Sequence, residues 1–229
     1  MNALRPPAGT WRKSARPGNP TILKGLSMTE IVAQGMQFFI AGYETTASTL
    51  SHCVYSLALN PECQDRLAEE IDSFYSVPDA KLDYDTVKTL PYLEAVISET
   101  LRLYPSANRI ERQAAASYRL GNTGIEIPKD MILQIPVHAI HHDPDFFPYP
   151  ETFDPERFLP ENRDNIRPFT YIPFGSGPRN CVAERFARLE IKLCLAHVIR
   201  NFRFHRVPET QVNYSQNRKL KPIFASEET

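Results

Sequence analysis

The chain has 229 residues, of which 42% are apolar, 10% aromatic and 23% charged, a composition too hydrophobic for a disordered polymer and rich enough to bury a core. Its 26 Lys and Arg against 27 Asp and Glu leave a formal net charge of -1, so there is no global electrostatic case for nucleic acid or acidic substrates. The four cysteines, Cys53, Cys63, Cys181 and Cys194, show no C-x-x-C spacing, which argues against a structural zinc site and a disulfide framework and favours a reducing compartment.

Residues 1–26 carry Pro6, Pro7, Pro17 and Pro20 with five basic residues and no acid, and read as a flexible, basic, proline-rich tail. An arginine-rich, acid-free start also fits an organelle transit peptide, although the prolines spoil its amphipathic helix. Ser27 and Glu30 form a capping-box pattern, and Val32, Met36, Phe39, Tyr43, Leu50, Val54 and Leu57 recur mostly at steps of three and four. One long helix is predicted, stopping near Asn60, where Asn60-Pro61 supplies a break and a fresh cap. Its most apolar stretch, Ile31 to Ala41, is interrupted by Gln34 and Gln37 and followed by Glu44, short of the roughly 18 apolar residues of a membrane span.

A second helix is predicted from Glu62 to about Phe74, a short turn after Asp83 and Asp85, and a third helix from Pro91 to Pro105. Short β-like runs follow at Ala114 to Leu120, Ile125 to Ile127 and Met131 to Val137, with turns at 121–124 and 128–130 between them. Ten of the 20 prolines fall between Pro128 and Pro178, without the repetition of a linker, and read as ordered, irregular chain. A final helix is expected to start just after Cys181 and run through Phe186, Leu189, Leu193 and Val198 towards Arg200, with short strands beyond.

The stretch from Phe174 to Ala183 is the most informative. Two of only nine glycines, Gly175 and Gly177, sit in a proline-punctuated loop that delivers Cys181 to a helix start beside Arg179. Helix amides and a nearby guanidinium favour a thiolate, and glycines let backbone approach something flat. A lone thiolate cannot close a zinc site but can be the single protein ligand of a haem iron. The plainer alternative is a buried cysteine in a tight loop.

Phe174-Gly175-Ser176-Gly177-Pro178-Arg179-Asn180-Cys181 resembles the haem-thiolate signature of the cytochrome P450 monooxygenases. Three further motifs stand in that family's order: Ala41-Gly42-Tyr43-Glu44-Thr45-Thr46 resembles the oxygen-activation motif, Glu99-Thr100-Leu101-Arg102 the E-x-x-R motif, and Pro155-Glu156-Arg157-Phe158 the P-E-R-F motif. The wording around them is most similar to the family-three group of animal microsomal enzymes. The resemblance covers residues 27 to about 224 and implies a mainly α fold with a small β-sheet, the C-terminal half of the cytochrome P450 fold. Residues 27–229 are then a partial haem domain.

By resemblance, Thr45 is the catalytic alcohol and Glu44 its acidic neighbour, organising proton delivery to dioxygen. From the residues alone, Gly42 and Thr45 share a helix face where a ligand could press, but Gly42 and Ala41 could equally permit close helix packing while Thr45 bonds back to its own turn. Glu99 and Arg102, spaced i, i+3, would by default be a solvated pair. The resemblance instead places them inside with Arg157, as a structural triad needed for haem incorporation. It assigns contacts to haem b (iron protoporphyrin) to Cys181, Arg179, Phe174, Arg112, Gly175 and Ala41, with Cys181 as the metal ligand and the two arginines meeting the propionates. Ile40, Ala41, Ser106, Ala107 and Asn108 fall where family members line the substrate pocket.

His138, His141 and His142 lack the carboxylate or cysteine spacing of a metal site, and the resemblance makes their segment a surface turn. The signature's usual final glycine is here Ala183. The implied function is a haem-thiolate monooxygenase that takes electrons from NADPH-cytochrome reductase and oxidises a lipophilic small molecule with dioxygen at the cytosolic face of the endoplasmic reticulum. The alternative is a truncated, inactive product acting as a weak haem-binding or interaction module.

Overall fold

The computed structural model describes residues 25–210. The expected tail and any strand beyond 210 lie outside the described residues. The chain divides into two units, Met1–Ala41 and Gly42–Thr229, with the boundary inside the first helix, α1 (Met28–Leu59).

In the first unit the capping box forms as predicted. The Ser27 amide donates to the Glu30 carboxylate at 2.7 Å and the Glu30 amide donates to the Ser27 hydroxyl at 3.3 Å, so two orphan donors of the helix start are filled. Those bonds hold the Glu30 carboxyl below its ordinary range. The helix then exposes Ile31, Val32, Met36, Phe38, Phe39 and Ile40.

In the second unit α1 buries Thr46, Thr49, Cys53, Ser56 and Leu57, one stripe at helical spacing. Asn60 ends the helix, but its side chain closes α1 rather than capping the next element: its amide donates to the Ser56 carbonyl at 2.7 Å. α2 (Pro61–Tyr75) starts on proline without a side-chain cap. Its Gln64, fully buried, exchanges bonds with the Phe204 main chain, donating to the carbonyl at 3.0 Å and accepting from the amide at 2.8 Å.

A 3-10 turn at Thr86–Thr89 leads into α3 (Pro91–Leu103), whose residues from Tyr92 to Leu103 are almost all buried. α2, α5 (Glu184–Asn201), the short helix α4 (Val137–His141) and the 3-10 turn Pro155–Phe158 all pack on α3, which makes it the hub of the core. Its N-terminus has no cap of its own. Glu70 of α2 supplies one, accepting the Tyr92 and Leu93 amides at 2.8 Å each.

The small sheet is two antiparallel pairs. β1 (Ile110–Gln113) pairs with β4 (Ile132–Ile135) in the register Ile110 to Ile135, and β2 (Tyr118–Arg119) pairs with β3 (Glu126–Ile127). The expected run from Ala114 to Leu120 contracts to β2, and β1 lies upstream of it. β1 reads Ile-Glu-Arg-Gln and is half exposed, so it carries no apolar run to announce it. Gly121 and Gly124 turn with positive φ between β2 and β3, where the sequence placed a turn. The expected strands after α5 do not form among residues 202–210; Phe204 spends its main-chain groups on Gln64 instead.

Replacing Glu70 by Ala is expected to destabilise the chain by about 1–3 kcal/mol, the cost of two uncapped amides, and Glu70→Gln by less. Urea unfolding of the two variants checks this, and equal stability of Glu70→Ala and the parent would refute the trans-cap.

Candidate haem-thiolate site

The helix α3 brings the first pair of site residues together. Arg102 donates from Nε to Glu99 Oε2 at 2.7 Å and from Nη2 to Glu99 Oε1 at 2.8 Å, and both side chains are fully buried. The remaining guanidinium donors reach across the fold, Nη1 to the His141 carbonyl at 2.9 Å and Nη2 to the Thr152 carbonyl at 3.2 Å. Glu99 Oε1 also accepts the Asp154 amide at 2.9 Å. Arg157 stands 3.6 Å from both Glu99 Oε1 and Asp154 Oδ2 and donates to the Tyr149 carbonyl at 3.3 Å. The expected triad is therefore inside, and it ties α3 to the proline-rich meander. Burial pushes the Glu99 carboxyl up, while the Arg102 fork, the Asp154 amide and Arg157 oppose the rise.

His141 departs from the sequence expectation. Its segment is helix α4 rather than a surface turn, and His141 is completely buried. Its Nε2 accepts the Ile172 amide at 2.9 Å, so Nδ1, 3.1 Å from the Arg102 carbonyl, carries the proton. Burial, with the charge of Arg102 nearby, lowers its pKa to about 4, and the imidazole is neutral at pH 7. Its ring stacks on Tyr171 at 5.5 Å. The residue therefore links α3 to Ile172, at the approach to the cysteine loop. In the sequence only its histidine-rich context stood out, and nothing there separated it from His138 and His142, which stack on each other at 4.0 Å.

The cysteine loop is closed by three main-chain bonds: Gly175 amide to Ile172 carbonyl at 3.0 Å, Asn180 amide to Gly177 carbonyl at 3.0 Å, and Cys181 amide to Phe174 carbonyl at 2.9 Å. Gly175 and Gly177 hold φ of +75° and +80°, where side chains are strained. A Cβ on Gly175 would also meet Ile110 Cδ1 of β1 at 3.4 Å. β1 seats the loop a second time, since Arg112 Nη2 lies 3.4 Å from the Arg179 carbonyl and its Nη1 donates to the Glu111 carbonyl. Cys181 is exposed and precedes α5 by three residues, so the expected helix start directly after it moves to Glu184. Ala183 takes the N-cap position at φ -98°, a conformation that needs no glycine.

Arg112 and Arg179 have no carboxylate partner among the described residues. Beside Cys181, Val182 and Phe186 are 85% and 67% exposed. One soft sulfur donor, exposed apolar side chains and two guanidinium groups suit a flat apolar group with an anionic edge, which is the chemistry of an iron porphyrin. Phe174 is half-buried against the core, with the Arg188 guanidinium 4.9 Å over its ring.

On α1, Glu44 is exposed and Thr45 half-buried, its carbonyl accepting the Thr49 hydroxyl at 2.9 Å. A Cβ on Gly42 would meet nothing within 4 Å, so close packing among the described residues does not explain that glycine. Ala41 is exposed and belongs to the first unit. Among the described residues no helix is long and apolar enough to cross a membrane, and no group of three or more His, Cys, Asp and Glu is placed to hold a metal ion.

A family model described as cytochrome P450 matches residues 13–227, and the chain belongs to that family of haem-thiolate monooxygenases. Among curated relatives it is 43% identical over 195 residues to a probable cytochrome P450 6a13 of Drosophila melanogaster, covering 85% of this chain and 40% of that protein. It is 48% identical over 206 residues to cytochrome P450 3A2 of Rattus norvegicus, covering 87% and 40%. Thromboxane-A synthase of Sus scrofa is 48% identical over 189 residues, covering 82% and 35%. The chain thus spans 35–40% of the length of these relatives.

Two outcomes follow from the buried network. Arg102→Ala strands the Glu99 carboxylate and is expected to cost about 3–5 kcal/mol in urea unfolding; a loss under about 1 kcal/mol would refute the network's role. Below pH 6.5 the unfolded chain protonates His141 while the folded chain does not until about pH 4. Stability is therefore expected to fall by about 2 kcal/mol from this residue between pH 7.5 and 5. His141→Gln flattens that part of the slope, and identical slopes in the two proteins would overturn the assignment.

Proposed function

We propose that this chain carries the haem-ligating part of a cytochrome P450 monooxygenase, with Cys181 as the single protein ligand to the iron of haem b. The observation that carries the reading is the loop itself: an exposed cysteine, two left-handed glycines and two arginines that have no carboxylate partner among the described residues, seated on β1. When bound, a thiolate-ligated haem supplies dioxygen activation, because the sulfur's electron density favours cleavage of the O–O bond.

The chain's own residues do the rest. Arg112 and Arg179 orient the cofactor through its propionates, and Phe174 and Gly175 shape the surface beside the sulfur. Thr45 holds a proton on its hydroxyl and Glu44, exposed to solvent, replenishes it. Glu99, Arg102 and Arg157 hold the meander so that the loop keeps its shape without touching the reacting atoms. Electrons come from NADPH-cytochrome reductase, the substrate is a lipophilic small molecule, and the setting is the cytosolic face of the endoplasmic reticulum.

A second reading rests on α1, where Ile31, Phe38 and Phe39 are exposed large apolar side chains. Such a surface suits a binding partner, and in this reading the chain is a haem-binding or interaction module without turnover. Reconstitution with haem, followed by reduction and carbon monoxide, separates the two. The red-shifted thiolate band is expected from the chain and is lost in Cys181→Ser; retention of the band in that variant sinks the ligand assignment. Turnover with reductase and NADPH marks the enzyme, and a band without turnover marks the module.

A further inference from the structure

Arg188 lies outside every motif that the sequence singles out, yet it is among the most connected side chains of α5. Its guanidinium edge is divided between two carboxylates: Nε donates to Glu184 Oε1 at 3.2 Å, one turn earlier on the same helix, and Nη1 donates to Glu94 Oε1 of α3 at 2.9 Å. Ser98 Oγ lies 3.5 Å from the same Nη1. The other oxygen of Glu94 is held by Lys192 at 2.7 Å. A guanidinium has two chemically different surfaces, a polar edge and a weakly hydrated face. With Nε and Nη1 committed, the group sits 4.9 Å from the centre of the Phe174 ring. A cation over an aromatic face is attracted by the ring's quadrupole, more so where water is partly excluded, and the Arg188 side chain is only 19% exposed.

Phe174 is the residue whose carbonyl accepts the Cys181 amide at 2.9 Å. A continuous physical path therefore runs from α3 through Glu94 and Arg188 to the Phe174 ring, and from the Phe174 main chain to the cysteine. We infer that Arg188 is a positioning residue for the cysteine loop: held at its edge by Glu94 and Glu184, it fixes the Phe174 ring and, through the Phe174 carbonyl, the place of Cys181. The consequence for the cofactor rests on the reading of Cys181 as the haem ligand; the consequence for the loop does not.

Hydrogen exchange in the haem-free full chain tests the loop directly. Arg188→Met keeps the length of the side chain and removes its charge, and is expected to lower protection of the Cys181 amide roughly tenfold while leaving the Ile97 amide of α3 unchanged. Arg188→Lys, which keeps a cation near the ring, is expected to recover a large part of that protection. Phe174→Leu should lower it as Arg188→Met does, and combining the two changes should add little, because both break the same path. With haemin added, Arg188→Met should lose intensity in the red-shifted band of the reduced carbon monoxide complex, and Arg188→Lys should retain it.

Unchanged protection at Cys181 in Arg188→Met overturns the inference. So does an equal fall at Cys181 and Ile97, which would make Arg188 a clamp between α3 and α5 only, or additive losses in the double variant. A parent chain that takes up no haemin sinks the ligand reading alone, since the exchange measurements need no cofactor.

Discussion

A guanidinium and a carboxylate removed from water at Arg102 and Glu99 would each cost several kcal/mol were their hydrogen-bonding capacity left open. The fold answers that cost by bringing distant main chain to them: the His141 and Thr152 carbonyls to Arg102, and the Asp154 amide to Glu99. The meander is thereby fixed without much regular structure of its own. Its prolines remove donors that would otherwise need partners, and local turns such as Thr152 amide to Tyr149 carbonyl and Asn162 amide to Leu159 carbonyl pair much of the rest. The pair is not a source of stability in itself. It is a constraint that admits one arrangement of the surrounding chain, and the cysteine loop inherits its position from that arrangement through His141 and Ile172.

The parts of this architecture legible in the sequence are those whose cause is local. Ser27 and Glu30 are three residues apart and cap one another; proline at 61 and 91 opens a helix; glycines at 121, 124, 175 and 177 adopt the φ that only they take easily. The motif resemblance added what spacing cannot give, that Glu99 and Arg102 face inward. Where the cause is a distant partner, the residues gave no signal. Glu70 is one acid among several on α2, and only the fold shows that it caps α3. Gln64 and His141 look like surface polar residues until Phe204 and Ile172 are brought against them. β1 leaves no signal because an Ile-Glu-Arg-Gln strand has one half-buried face, shared by an isoleucine and an arginine, and too few residues to display it.

The cysteine loop shows the same division at smaller scale. Its glycines and cysteine were readable, and the family comparison agrees with the motif they form. Its seat on β1 was not: Ile110 fills the space beside Gly175, and Arg112 reaches the Arg179 carbonyl, so one face of a four-residue strand supports the loop while the opposite strand partner, β4, fixes that face. Arg112 thus joins the loop to the sheet. Alanine at 183 is accommodated for a reason equally invisible in sequence, a φ of -98°.

The bonds made by Arg102 and Glu99 to the meander close sequence separations of 39, 50 and 55 residues. Loops of that length are closed against entropy before they are rewarded. Until they close, both charges can remain hydrated, and the cost of drying them falls on the last stage of assembly. The network is therefore expected to act as a latch, formed after the helices have met, that slows the unfolding of the finished structure more than it speeds its folding.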